Sequence, residues 1–199
     1  IYGLEPNTTY YVRAYATNEL GTSYGDEKSF TTGEFVNHEY VDLGLPSGLK
    51  WATCNVGAEK PEDYGDYFAW GEIEPKGEYT DDNSVTDGVE MEDISGNPQY
   101  DAATANWGST WRMPTEEECE ELVDECTWQW TTQNGVYGRK VTGPNGNHIF
   151  LPAAGSRNGS SLNDAGEYGI CWSSTPYSND YYVYYLGFSS SSYLVSYSN

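Results

Sequence analysis

The C-terminal stretch YYVYYLGFSSSSYLVSYSN, residues 181–199, combines two sequence patterns. Tyr and Ser account for twelve of its residues. Leu186 and Phe188 stand two positions apart, the spacing that places two side chains on one face of a β-strand. We predict that both point into the core, and Val183 and Leu194 are further candidates for it. The Tyr and polar neighbours of these residues are expected to face a ligand.

The composition of this stretch is typical of a binding surface. Tyr gives a rigid amphipathic contact area, and Ser, Gly and Asn add small hydrogen-bonding groups, as in antibody paratopes. A strand with a purely structural role would explain Tyr at every second position, since Tyr favours strands. It does not explain the doublets Tyr181-Tyr182 and Tyr184-Tyr185, which put rings on both faces of any strand. The predicted ligand-binding residues are Tyr177, Ser178, Asn179, Asp180, Tyr181, Tyr182, Tyr184, Tyr185, Gly187, Ser189, Ser191, Ser192, Tyr193, Ser196, Tyr197, Ser198 and Asn199.

The charge of the chain excludes some partners. Its 199 residues include 31 acidic and 9 basic ones, a formal net charge of −22. Nucleic acid and anionic membrane surfaces are therefore repelled. No apolar run is long enough to predict a transmembrane helix. The aromatic content of 16% indicates a folded chain rather than an acidic disordered one.

One segment has the pattern of an amphipathic helix. Thr115 and Glu118 form a capping box, and apolar side chains then recur on one face at Cys119, Leu122, Val123 and Cys126. The following segments alternate like strands and turn at Asn134-Gly135 and at 144–146. One clear helix among short strands and long loops predicts the α+β class.

The sequence offers little support for catalysis or metal binding. The acidic stretch from Asp81 to Asp93 lacks calcium-loop spacing, and His38 and His148 are isolated. No motif introduces a nucleophile or cradles a phosphate. We therefore predict no catalytic residue, no metal and no cofactor.

The four cysteines, Cys54, Cys119, Cys126 and Cys171, fit either two disulfides or four buried thiols. On one helix the Cα atoms of Cys119 and Cys126 would lie on the order of 10 Å apart, too far to bridge each other. We favour buried thiols.

The first 33 residues resemble the end of a fibronectin type III module. The run LEPNTTY, residues 4–10, matches the tyrosine-corner pattern of that family, and strand-like alternation with a Gly-bearing turn follows it. The resemblance implies a packing role for Tyr10. We interpret residues 1–33 as an all-β hairpin from a truncated β-sandwich.

The remainder of the chain resembles a second family. The blocks WATCNVGAEKPEDYGDYFAWGE (51–72), WRMPTEEECEEL (111–122), GPNGNHIFLPAAGSRNG (143–159) and GICWSSTPY (169–177) occur in the order found in the "major paralogous domain" family of gut bacterial surface proteins. That family is similar to the formylglycine-generating-enzyme variant of the C-type lectin fold. The resemblance implies a C-type-lectin-like ligand-binding domain over residues 34–199. The enzyme branch needs a reactive cysteine pair, whereas Cys171 stands alone here.

The block CWSSTP (171–176), followed by Leu186-Gly187-Phe188, resembles the variable region of diversity-generating-retroelement proteins. In those proteins adenine-templated randomisation of Asn codons can give Tyr, Ser, Asn, Asp, Gly, Val, Leu or Phe, but not Lys, Glu, Gln, Met or Trp. From Ser173 to Asn199 none of these five types occurs, whereas their share of the whole chain predicts roughly four or five. The resemblance therefore implies a variable region at about 173–199.

These observations predict a receptor or adhesin exported to the cell surface of a gut bacterium, whose partner is an unknown protein or cell-surface ligand. A static adhesin or structural module without diversification is the alternative, and a thiol-dependent enzyme is less favoured. The chain opens on Ile1 rather than Met, and family members continue past the variable run to a strand that pairs with HEYVDLGL (38–45). Either that C-terminal strand is missing from the chain or Tyr40 to Leu43 has another partner. We expect a complete gene product to be longer at both ends, and a lipid anchor on a preceding segment is one route to the surface.

Overall fold

The computed structural model of the chain describes residues 4, 8–32, 38–177 and 182–198. The chain divides into two compact units, Ile1–Asn37 and His38–Asn199. Among the described residues of the first unit, four short strands pair antiparallel, β1 with β4 and β2 with β3. Their bounds are β1 Thr9–Val12, β2 Tyr15–Asn18, β3 Gly21–Tyr24 and β4 Lys28–Thr31.

The second unit contains two three-stranded antiparallel sheets and two strand pairs among its described residues. Strand β5 pairs with β6 and β10 with β11, while the larger sheets have the orders β7-β8-β9 and β12-β13-β14. The bounds are β5 Tyr40–Asp42, β6 Lys50–Ala52, β7 Thr127–Gln133, β8 Val136–Thr142, β9 His148–Pro152, β10 Ser156–Asn158, β11 Ser161–Asn163, β12 Tyr168–Pro176, β13 Val183–Ser189 and β14 Tyr193–Ser198.

The predicted α+β class is wrong. Within the described residues the α-helices are α1, Ala102–Trp107, with 6 residues, and α2, Glu116–Glu125, with 10. A 3-10 turn at Asp81–Asn83 adds little to this content. Gly, Pro and Asp recur in the long stretch between β6 and α1, where turns and loops predominate. The chain is therefore β-rich, built from small antiparallel sheets, and the α+β C-type-lectin-like assignment is not retained.

The helix α2 forms as its sequence predicts. The Thr115 side chain accepts a hydrogen bond from the Glu118 amide, and the Glu118 carboxylate accepts one from the Thr115 amide at 2.9 Å. Cys119, Leu122 and Cys126 are buried. The shorter helix α1 was not predicted, because its 6 residues, AATANW, are too few to show helical periodicity. Its N-terminus is nevertheless capped by Asp101, which accepts from the Thr104 amide.

The predicted hairpin turns are confirmed, and strand β5 has a local partner. Asn134 and Gly135 join β7 to β8 with φ of 48° and 88°, as a tight hairpin turn requires. Residues 143–147 join β8 to β9.

Strand β5 pairs with β6, so Val41 lies opposite Trp51.

A hydrophobic cluster joins helix α2 to both large sheets. Leu43 and Leu45 contribute from the segment after β5, Trp128 and Val141 from the β7-β8 hairpin, and Phe188 from β13. Among the described residues its buried members are Leu43, Leu45, Cys119, Leu122, Cys126, Trp128, Val141, Ile149, Leu186 and Phe188. The C-terminal sheet is thus fixed to the rest of its unit by side chains of β13.

Candidate ligand-binding surface

The register of the sheet β12-β13-β14 assigns each C-terminal side chain to one of two faces. Leu186 of β13 lies opposite Cys171 of β12 and Val195 of β14. Because directly paired residues share a face and neighbours along a strand alternate, Leu186 and Phe188 share one face with Tyr184. Tyr185 and Gly187 belong to the opposite face.

The core predictions for this sheet are partly confirmed. Leu186 is 1% exposed and Phe188 is fully buried. Val183 is half-buried, whereas Leu194 is exposed. The expectation for Leu194 is wrong because it lies opposite Gly187, on the face away from the hydrophobic cluster.

Four tyrosine rings meet at one end of the sheet, and we call them the tyrosine cluster: Tyr177, Tyr182, Tyr184 and Tyr197. Tyr177 stacks on Tyr197 with 4.2 Å between ring centroids. Tyr184 meets Tyr177 edge-on at 5.3 Å, and Tyr182 meets Tyr197 edge-on at 5.9 Å. Tyr182 is 37% exposed and Tyr197 50%. The cluster therefore presents ring surface to solvent while its members support one another.

Acidic side chains of helix α2 lie beside this cluster. The amide of Glu116 donates to the Thr175 hydroxyl at 3.0 Å, which fixes the first turn of α2 against the end of β12. Burial and the nearby carboxylates of Glu116 and Glu120 raise the pKa of the Tyr184 hydroxyl. The pKa of Glu116 is raised as well, by burial and by Glu120 and Glu117. Negative charge is thus concentrated next to Tyr184.

The opposite face of the sheet uses several predicted ligand residues for packing. Tyr185 meets Trp172 edge-on with ring centroids 6.1 Å apart. Gly187 is buried, and a Cβ atom at this position would overlap the Tyr168 hydroxyl. Burial and the adjacent Tyr185 raise the pKa of Tyr168 to about 12. Gly187 provides space for Tyr168 rather than a contact for a ligand.

The serine run forms the turn between β13 and β14. The Ser189 hydroxyl accepts hydrogen bonds from the amides of Ser191 and Ser192, both at 3.2 Å. Arg139, which is 6% exposed, donates to the carbonyl oxygens of Ser189 at 2.9 Å and Ser192 at 3.4 Å. These contacts hold the turn in one conformation, although Ser190, Ser191 and Ser192 are exposed.

Tyr193 also has a structural contact. Its ring stacks on Trp128 with centroids 4.9 Å apart and an angle of 9° between the planes. It is still 37% exposed. Ser196 and Ser198 of β14 are half-buried. The predicted residues Ser178, Asn179, Asp180, Tyr181 and Asn199 lie outside the described residues.

Two cavities open beside the C-terminal sheet. One has a volume of about 490 Å³ and is lined by Pro176, Tyr177, Tyr182 and Val183 together with Trp172. The other, of about 550 Å³, is lined by Ser189, Ser190 and Ser191 with Trp130 and Tyr137. Segments far apart in sequence thus join the predicted tail residues.

The cavity beside the tyrosine cluster contains residues that the sequence did not reveal as a site. Lys76 and Arg157 supply positive charge, but both are engaged. The Lys76 ammonium bonds Glu72 at 2.8 Å and the Asn83 side chain at 2.9 Å, and the Arg157 guanidinium lies 5.0 Å from the centre of the Tyr67 ring. The other charged residues that line this cavity are Asp81, Asp87 and Glu90. In the sequence, only the acidic stretch 81–93 pointed to this part of the cavity lining.

The thiols occupy positions unfavourable for reactivity. All four cysteines are free thiols, but the prediction that all are buried is only partly confirmed, because Cys119 and Cys126 are buried while Cys54 and Cys171 are half-buried. Burial raises the pKa of Cys126 and of Cys171 to about 11, and burial together with Cys171 raises that of Cys119 still further. Because the thiolate is the nucleophile, these cysteines are weakly reactive at neutral pH.

Over the described ranges, no group of three or more His, Cys, Asp and Glu side chains is placed to hold a metal ion. The same part of the chain contains no helix with the length and apolar character needed to span a membrane.

Comparison with known proteins gave no match: no family model, no curated protein and no solved structure aligns with this chain.

Proposed function

We propose that this chain is a surface-displayed ligand-binding protein of the receptor or adhesin kind, whose Tyr- and Ser-rich C-terminal region forms the binding face. The observation that carries the proposal is the tyrosine cluster, in which Tyr177, Tyr182, Tyr184 and Tyr197 meet and of which Tyr177 and Tyr182 line a cavity of about 490 Å³. Aromatic residues with rigid, partly exposed rings contribute much of the binding energy in protein interfaces.

The way in which the cluster is supported also favours recognition. Leu186 and Phe188 fix strand β13 in the core, while the cluster lies at the end of the same sheet. A rigid support lowers the conformational entropy lost on binding. The mechanism is equilibrium binding, with no covalent step.

We further propose that residues 173–199 are a variable region diversified through adenine-templated reverse transcription. The absence of Lys, Glu, Gln, Met and Trp from this stretch supports this origin. The structure adds a constraint, because Gly187 and Phe188 have packing roles that few other residues could fulfil. Variation should therefore concentrate at Tyr182, Tyr184 and Tyr197.

A static adhesin or structural module is the second candidate. It is favoured by the contacts of the serine turn with Arg139 and by the stacking of Tyr193 on Trp128. These predicted ligand residues serve the fold, as expected of a tail that has not been diversified.

Sequencing many natural copies of the gene separates the two candidates. Diversification predicts adenine-templated substitutions confined to codons after Ser173, beside a near-identical repeat and a reverse-transcriptase gene. A tail that is fixed among copies would favour the static module.

Binding itself is tested by selecting a random peptide library on the immobilised chain and on its Tyr182→Ala/Tyr197→Ala variant. We expect peptides that bind the native chain and lose affinity for the variant, whereas a Tyr11→Ala control in the first unit retains them. If every selected peptide binds all three proteins equally, the tyrosine cluster is not the binding face. Protease shaving of intact cells tests display, and a tail found only in the cytoplasm would contradict it.

A further inference from the structure

We infer that the partner of the tyrosine cluster is a protein segment that inserts an arginine side chain against these rings. This inference rests on the proposed function and specifies the chemistry of its ligand. The ring geometry, the carboxylates around the cluster and the net charge of the chain support it.

The ring geometry suits a cation. Tyr184 lies edge-on to Tyr177, and Tyr182 lies edge-on to Tyr197, so the four rings do not form one flat stack. Ring faces carry the negative end of the aromatic quadrupole and attract a guanidinium or ammonium group. Arginine is favoured over lysine because its planar group can stack on a ring and still donate hydrogen bonds at its edge.

Glu116 and Glu120 of helix α2 supply carboxylates for those hydrogen bonds, and Asp93 adds negative charge near them. Glu116 and Glu120 stand one helical turn apart on α2, and both act electrostatically on Tyr184. Asp93 lies near the same point, since its carboxylate accepts a hydrogen bond from Thr175 at 2.8 Å and Thr175 in turn accepts one from the Glu116 amide. An arginine at the cluster would meet rings on one side and negative charge on the other.

The adjoining cavity adds to this complementarity. It contains the three carboxylates Asp81, Asp87 and Glu90. Its lysine is already paired with Glu72, and its arginine lies over the Tyr67 ring. The formal net charge of −22 also speeds the encounter with a basic partner and disfavours an acidic one.

The test uses the full chain and three capped synthetic peptides that differ at one residue type: an Arg-Ser repeat, a Gln-Ser repeat and a Glu-Ser repeat. Tyrosine ring resonances and dissociation constants are followed by NMR titration. We expect the Arg-Ser peptide to shift the resonances of the tyrosine cluster. The Gln-Ser and Glu-Ser peptides should bind more weakly, by roughly fivefold or more for the loss of one cation–π contact.

Two matched pairs of variants locate the interaction. Tyr197→Ala should weaken the Arg-Ser peptide by roughly fivefold, whereas Tyr197→Phe should retain binding because the ring remains. The double variant Glu116→Gln/Glu120→Gln should weaken it as well, while Glu19→Gln/Glu59→Gln, which removes the same charge from exposed positions, should not. Equal binding by all variants would mean non-specific attraction and would overturn the inference.

The peptide-library selection distinguishes failure of this inference from failure of the proposed function. Selected peptides that depend on Tyr182 and Tyr197 and are enriched in Arg support both. Selected peptides that depend on these tyrosines but are not enriched in Arg overturn the inference and leave the binding function standing. Selected peptides that bind regardless of these tyrosines overturn both.

Discussion

Tyr197 stacks on Tyr177 with 4.2 Å between ring centroids and 21° between ring planes. Tyr177 follows strand β12 and Tyr197 lies in strand β14, so strand β13 separates the two backbones in the sheet. Their contact, together with Tyr182 and Tyr184, makes a continuous ring surface from residues at both ends of the C-terminal segment.

Substitutions in the core of this sheet and in the tyrosine cluster should differ in how much they lower the free energy of unfolding. We expect Phe188→Ala to lower the free energy of unfolding by about 3–5 kcal/mol, because it empties a fully buried position. Tyr182→Ala removes a partly exposed ring and its edge-on contact with Tyr197, and it should cost less, about 1–2 kcal/mol. Urea unfolding followed by tryptophan fluorescence measures both. All 7 tryptophans lie in the unit His38–Asn199, so the signal reports on that unit alone. Equal losses would mean that the exposed ring is part of the core.

Gly187 should resist substitution although the sequence places it in the binding surface. A Cβ atom here would overlap the Tyr168 hydroxyl and lie 2.8 Å from the Tyr185 ring. We expect Gly187→Ala to cost about 1–3 kcal/mol of stability, as overpacking does. Gly77→Ala is the matched control, because no atom lies within 4 Å of a Cβ built there. Equal stability of the two variants would contradict the packing role.

The ion pair at the start of α2 should make stability depend on pH. Burial alone would raise the pKa of Glu118, but hydrogen bonds from Arg112 and the Thr115 amide outweigh it and lower the pKa below its ordinary value of 4.5. Arg112 donates to both carboxylate oxygens, at 2.7 and 2.5 Å. Because the folded state holds the charged form, this stabilisation is present above pH 4.5 and is lost as the pH falls through the lowered folded pKa.

The measurement compares urea unfolding of the native chain and Glu118→Gln over this pH range, again by tryptophan fluorescence. The native chain should be more stable near neutral pH, and the difference should shrink as the pH falls below 4.5. Glu59→Gln, at an exposed position, is the control. A difference that stays constant with pH would show that the pair contributes no charge-dependent stability.

The thiols of Cys119 and Cys171 should be slow to react. With the pKa of Cys171 raised to about 11 and that of Cys119 raised further, little thiolate exists near neutral pH. We expect iodoacetamide at neutral pH to leave both unmodified in the folded chain and to modify both in urea, as read by peptide mass spectrometry. Rapid modification of Cys171 in the folded chain would instead favour a thiol-dependent enzyme.

Features governed by near neighbours could be predicted from the sequence. The capping box of Thr115 and Glu118 and the Asn134-Gly135 turn depend on residues within a few positions of each other. The burial of Leu186 and Phe188 followed from strand alternation. The predicted fold class was wrong because the signals that identify one capped helix of 10 residues do not show how many other segments form strands.

The sequence by itself determined the Tyr- and Ser-rich composition of the tail, the buried pair in β13, the capped helix α2 and the negative charge. Only the tertiary structure decided which tyrosines meet, that Gly187 makes room for Tyr168, and that Glu116 and Glu120 lie beside Tyr184. Strand register and the docking of α2 bring together residues that are 82 positions apart, as Asp93 and Thr175 are, and the ring nitrogen of Trp172 donates to the carbonyl oxygen of Phe68 across 104 positions. Such contacts arise from packing of the whole unit, and no local pattern of residues encodes them.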